Sequence, residues 1–170
     1  MSDSQYEFVA VWNSVTEDLA AELTDFWARN HAIPDADRAA ARARQAVCIA
    51  RGADGALVGV GTAVVRVLPR LLQPMYYYRQ FFSPDFRGRK RTVPFFNFAR
   101  EVLESYNAAL KEPESLGVLL ELENAMLASR YVLAYEPTAN STFIGYSQKG
   151  LQLRVTYFEG AKLHPLSPLS

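Results

Sequence analysis

Three observations predict a mixed α/β sheet in a single domain. Short runs rich in aromatic and β-branched residues recur along the chain, as at 6–12 (Tyr-Glu-Phe-Val-Ala-Val-Trp) and 75–82 (Met-Tyr-Tyr-Tyr-Arg-Gln-Phe-Phe). Between them lie segments whose apolar residues fall at helical spacing. The third is size: a chain of 170 residues suits one domain. At this mass about 70% of the surface of the unfolded chain is buried on folding, so a core forms without staples. The expected architecture is a central sheet of about seven strands flanked by about four helices. Residues 1–163 form the domain and 164–170 a C-terminal tail.

The elements follow in order. Residues 6–12 alternate and read as a strand. Thr16 is placed to cap a helix to about Asn30, because Glu17 and Asp18 fill its first turn and Leu19, Leu23, Phe26 and Trp27 share a face. Pro34 and Asp35 open an alanine-rich helix to Arg44, whose small apolar face must pack closely or weakly. Residues 46–51 and 56–68 form a hairpin around Ala53-Asp54-Gly55, and 75–82 a further strand closed by Ser83-Pro84-Asp85. Phe95, Phe96, Ala99, Val102, Leu103 and Tyr106 mark a helix of about four turns, with Pro94 in its first turn, where no intrahelical N–H is lost. Residues 116–122 form a strand, Asn124 caps a helix to about Tyr135, and 142–147 pairs with 151–158 around Gln148-Lys149-Gly150.

The formal net charge is zero, but it is segregated. Residues 66–100 hold eight cations (Arg66, Arg70, Arg79, Arg87, Arg89, Lys90, Arg91 and Arg100) against Asp85 alone, giving +7 there and −7 elsewhere. Such a block asks for an anionic partner. Overall neutrality disfavours a dedicated nucleic-acid domain, although the aromatics around the block would also suit single-strand stacking. A lone cysteine, Cys48, excludes an internal disulfide framework, and Cys48 with His31 and His164 offers no metal-ligand spacing. No apolar run is long enough to span a membrane, and the start of the chain lacks the order of a signal peptide. The expectation is a soluble cytoplasmic protein, with a homodimer as the expected assembly.

The informative unit is strand, turn, basic loop and helix. A helix N-terminus presents unpaired amides and partial positive charge, and binds phosphate. Here Arg87-Gly88-Arg89-Lys90-Arg91 stacks cations at that end, against the helix dipole. A multiply charged anion there would resolve the conflict; the charge run alone fits an ordinary solvated basic loop equally well.

The segment Ser83-Pro84-Asp85-Phe86-Arg87-Gly88-Arg89-Lys90-Arg91-Thr92 resembles the acyl-CoA loop of the GNAT (N-acetyltransferase) superfamily. The family pattern is Gln/Arg-x-x-Gly-x-Gly/Ala, whose amides hold the CoA pyrophosphate. Arg87 matches its first position, whereas Lys90 and Thr92 stand where the small residues belong. A side chain with a Cβ can obstruct the close backbone approach that glycine permits. The element order resembles the same fold from Tyr6 to Phe158. The resemblance implies acetyl-CoA or another acyl-CoA as co-substrate, held by Arg87, Gly88, Arg89, Lys90, Arg91 and Thr92, with Asn124 at the start of the following helix. It implies transfer of the acyl group to the amine of an unidentified acceptor by direct attack. Tyr131, seven residues after Asn124, occupies the position of the general acid that protonates the departing thiolate, with Tyr135 as its rival one turn later on the same helical face.

Glu121 and Glu123, on one strand face, could receive the ammonium proton or bind a cationic acceptor; such a pair also suits a solvated strand face. His31 could line an acceptor pocket near Trp27 or complement the end of its helix. Cys48, between Val47 and Ile49, reads as a small buried residue. The missing loop glycines and Pro94 also fit a second reading, a GNAT-like binding or assembly module without catalysis. A nucleic-acid-contacting domain is a third.

Overall fold

A computed structural model describes residues 5–87 and 91–166. The elements are β1 (Tyr6–Ala10), α1 (Glu17–Arg29), α2 (Ala36–Ala43), β2 (Ala46–Gly52), β3 (Leu57–Leu68), β4 (Gln73–Phe82), α3 (Thr92–Ala109), β5 (Gly117–Leu122), α4 (Ala125–Arg130), β6 (Tyr135–Glu136), β7 (Ser141–Tyr146) and β8 (Gln152–Tyr157). The strands form one eight-stranded sheet in the order β1-β2-β3-β4-β5-β8-β7-β6. β4 and β5 are parallel, joined through α3, while β8 lies antiparallel between β5 and β7. The expected mixed α/β fold is present, with one strand more than expected, the two-residue β6. Among the described residues no helix is long and apolar enough to cross a membrane.

By compactness the chain divides into two units, Met1–Ala63 with Arg79–Leu103, and Val64–Tyr78 with Glu104–Ser170. In the first, Thr16 Oγ1 accepts the Leu19 amide and Asp35 Oδ1 accepts the Arg38 amide, so both expected caps start their helices. Leu23, Phe26 and Trp27 of α1 enter a core with Ile49, Leu57 and Val60. The small face of α2 packs closely, with Ala39 and Ala43 buried in that core. A second, aromatic layer joins Phe8, Phe82, Phe86 and Phe95 edge to face, at 4.8–5.2 Å between rings. Phe82 fits because Gly59 has no side chain: a Cβ there would lie 2.8 Å from the Phe82 ring.

In the second unit Met75, Tyr77, Leu116, Leu119, Leu153 and Val155 make the core. β5 approaches β8 so closely at Gly117 that a Cβ would run into the Thr156 carbonyl oxygen and lie 2.8 Å from Tyr157 Cα. The side chain of Asn107 donates to the Ser115 carbonyl and accepts the Glu114 and Ser115 amides, fixing the entry to β5. Near the chain end the Gln73 amide clasps His164, donating to its carbonyl at 3.0 Å and accepting its N–H at 2.7 Å.

Candidate functional site

In the first unit β4 ends at Phe82 and the chain turns, with the Phe86 amide donating to the Ser83 carbonyl at 2.9 Å. Arg87 closes this turn. Its Nε donates to the Phe82 carbonyl at 2.9 Å, and its guanidinium lies 4.9 Å over the Phe81 ring. Arg91 lies 3.8 Å over the Tyr6 ring and 4.8 Å over Phe86, while Tyr6 and Phe86 meet edge to face at 5.0 Å. Gly88, Arg89 and Lys90, expected in the phosphate loop, lie outside the described residues.

The start of α3 differs from the other helix starts. Thr16, Asp35 and Asn124 cap α1, α2 and α4 with side-chain oxygens. α3 begins after Arg91, whose carbonyl accepts the first intrahelical bond from the Phe95 amide at 3.0 Å. Arginine has no acceptor with which to cap, and no acidic residue occupies the first turn. The amides of Thr92 and Val93 therefore have no intrahelical acceptor, and Pro94 in the same turn has no N–H to offer. Arg91 Nη1 is buried without a hydrogen-bond partner among the described residues. Both features suit an anion. In the same unit a cavity of about 510 Å³, lined in part by Tyr6, Asn30, Asp54, Ser83 and Asp85, opens beside the turn that precedes Arg87.

In the second unit the parallel ladder pairs Tyr76–Tyr78 with Val118–Leu120, and Tyr78 with Leu120 is its last pair. Glu121 continues β5 opposite Leu153. Its Oε2 accepts from the Tyr77 hydroxyl at 3.2 Å, and Arg66 lies 4.4 Å over the Tyr77 ring. Glu123 falls beyond Leu122, the last residue of the strand, and is exposed. The expected pair on one strand face is therefore a single strand glutamate, Glu121. Asn124 caps α4 as expected: its Oδ1 accepts the Met126 and Leu127 amides at 2.9 and 3.1 Å.

The helix after Asn124 is shorter than expected, six residues ending at Arg130. Pro137 has no amide to offer the Leu133 carbonyl and turns Glu136 toward extended backbone, so no helix runs through 133–137. The Leu133 and Ala134 carbonyls instead accept from Arg154 Nη2 at 2.8 and 3.4 Å. Tyr131 is thus the C-cap, at φ −97° and ψ 78°. Tyr135 lies in β6 rather than on the helical face expected for it, and its hydroxyl donates to Asn140 Oδ1 at 2.6 Å. The half-buried Tyr131 has no hydroxyl partner among the described residues. Burial raises its pKa and the negative charge of Glu136 adds to the rise, while the Arg154 cation opposes it.

Two other candidates take structural places. His31 is exposed at φ 54°, its amide donating to the Ala28 carbonyl just after α1. Cys48 is fully buried, and desolvation pushes its thiol far above the usual range, so it is no thiolate nucleophile. No cluster of metal-ligating side chains occurs among the described residues. Sequence reasoning missed Arg154, whose signal is a lone charge among the apolar residues of the final strand. It also missed the Tyr77 hydroxyl bonded to Glu121 and the place of Arg66 over the Tyr77 ring.

No family model matches the chain. No curated protein matches it in sequence. Solved structures do. A ribosomal-protein alanine acetyltransferase from Vibrio fischeri superposes with a TM-score of 0.60 at 10% identity, covering 95% of this chain and 98% of its own. An acetyltransferase of the GNAT family from Listeria monocytogenes gives 0.54 at 16% identity, over 89% and 95%. AtaTR bound with acetyl-CoA gives 0.55 at 12% identity, over 90% and 94%. With one mixed sheet, four helices and this strand order, the chain has the fold of the GNAT acetyltransferase superfamily.

Proposed function

We propose that this protein is an acyl-CoA-dependent N-acyltransferase, with acetyl-CoA as the donor. The observation that carries the reading is the start of α3, where Arg91 brings a guanidinium nitrogen without a partner among the described residues, on a fold shared with acetyltransferases of which one is bound with acetyl-CoA. The amides of Thr92 and Val93, which have no intrahelical acceptor, hold the phosphates with Gly88, Arg89, Lys90 and Arg91. Arg87 shapes the turn. Asn124 supports the site indirectly, because its side-chain oxygen holds the α4 amides.

The reaction is direct attack of an acceptor amine on the thioester carbonyl carbon. The C–N bond forms as the C–S bond breaks, and the electron pair of that bond leaves on sulfur. Tyr131 gives its hydroxyl proton to the thiolate, and its O–H, without a partner among the described residues, suits that donation better than the engaged hydroxyl of Tyr135. Glu121, a half-buried carboxylate, accepts the ammonium proton, and Glu123 attracts a cationic acceptor from its exposed position. Release of free CoA thiol from acetyl-CoA, measured against polyamines, lysine peptides and peptides with free N-termini, tests the reading. Turnover with one of these classes is expected; no thiol release with any of them contradicts it.

One observation favours a second reading, a GNAT-fold binding module without catalysis. Arg87 and Arg91 are both engaged with aromatic rings of the fold, which withdraws two loop cations from a ligand. Lys90→Gly separates the readings. Stronger acetyl-CoA binding marks a groove that still accepts the cofactor, and absence of binding in both proteins supports the module.

A further inference from the structure

Arg154 is 1% exposed on β8, and all three of its guanidinium nitrogens are engaged. Nε donates to Ser141 Oγ at 2.9 Å and Nη1 to Gln152 Oε1 at 2.8 Å. Nη2 donates to the carbonyls of Leu133 at 2.8 Å and Ser141 at 3.1 Å. Every acceptor is neutral, and no carboxylate pairs with Arg154 among the described residues. A buried cation with no carboxylate in direct ion-pair contact is expensive; Glu136 acts on it only at longer range, and carbonyl ligands alone do not explain why the position carries charge. One aromatic face lies over it among the described residues: the ring of Tyr131, 5.8 Å from the guanidinium carbon. The same guanidinium ties down the chain that leaves Tyr131, through Leu133 and Ala134.

We propose that Arg154 is the positioning residue for Tyr131, fixing its ring through the 133–134 carbonyls and serving as counter-charge to the phenolate left when Tyr131 gives up its proton. This rests on the reading of Tyr131 as the acid. The charged groups facing Tyr131 are Arg154 from β8 and Glu136 beside it in β6. Glu136 cannot stabilise a phenolate, and its Oε1 is engaged by the Thr138 amide and hydroxyl at 3.2 and 2.8 Å. Arg154 is therefore the group that lowers the cost of the ionised ring. In the reaction the Tyr131 proton goes to the CoA sulfur, the phenolate persists beside Arg154, and solvent returns a proton after the products leave.

The test reads Tyr131 itself and needs no acceptor. The whole protein is labelled with 13C at the phenol carbon of tyrosine, Tyr131 is assigned through Tyr131→Phe, and its titration is followed by NMR. Arg154→Gln removes the cation. Gln152→Glu leaves Arg154 in place but neutralises it through Nη1, a near-isosteric change that keeps the protein folded should Arg154→Gln unfold it. Both changes are expected to move the Tyr131 midpoint upward while Tyr135 stays in place. A Tyr131 midpoint unchanged in Gln152→Glu, or equal movement of Tyr135, overturns the proposal. Acetyl-CoA turnover reports on the acyltransferase reading separately, so a failure of that reading leaves the titration result interpretable.

Discussion

The Nε of Arg87 donates to the carbonyl of Phe82, 2.9 Å away, five residues back along the chain. The residue that matches the first position of the phosphate motif therefore closes the turn that carries the loop. Its guanidinium also covers the Phe81 ring. Arg87→Ala should lower stability by about 1 kcal/mol, the usual worth of one such hydrogen bond. A urea titration checks it, and an unchanged midpoint would mean that the turn holds itself.

A heavier loss is expected at Gly117. An alanine methyl there meets the Thr156 carbonyl oxygen and the Tyr157 backbone. Both are backbone in a paired strand and cannot step aside. Gly117→Ala should cost roughly 3 kcal/mol or more, at the upper end of overpacking effects. Chemical denaturation reads this directly, and a cost under about 0.5 kcal/mol, the range of an ordinary surface change, contradicts the close approach.

Acid should weaken the first unit through Glu22. Arg51 grips its two carboxylate oxygens at 2.7 Å each, and this hydrogen bonding holds the Glu22 pKa below its ordinary value against the opposing effect of burial. Because the folded pKa is the lower one, the pair stabilises fully above the unfolded pKa. That contribution is lost as pH falls through the folded value. Both side chains are partly exposed, so solvent screening keeps it small. Between roughly pH 5 and pH 3 the wild type should lose more of its urea midpoint than Glu22→Gln. Parallel curves would remove the pair from the account.

Tyr131 and Tyr135 are separated by their hydroxyls. Tyr135 donates to Asn140, whereas Tyr131 has no partner among the described residues. With an acceptor in hand, Tyr131→Phe should lower kcat by about 100-fold or more, as expected for loss of a general acid. The acetyl-CoA dissociation constant should hold, and Tyr135→Phe should leave kcat nearly unchanged. The reverse ranking would transfer the role to Tyr135.

What could be read in the sequence depended on the range of the interaction. Thr16 and Asp35 act on amides three residues away, so their caps were legible locally. Asp54 accepts the Ala56 amide within the hairpin turn, another contact written in adjacent residues. The path of the chain after α4 was not legible, because the Leu133 and Ala134 carbonyls bond Arg154, 21 and 20 residues away. Tyr135, expected on the same helical face as Tyr131, lies instead in β6, paired with Thr142. The cationic loop was plain as composition. That Arg91 would lie on Tyr6 required the first strand to meet the start of α3, which no local pattern encodes.

Calorimetric titration of the whole protein with acetyl-CoA tests the central claim most directly. The account predicts saturable binding with a one-to-one stoichiometry, weakened by added salt because cations and helix amides hold the phosphates. No heat of binding at about 1 mM ligand, an affinity worth only about 4 kcal/mol, would contradict it.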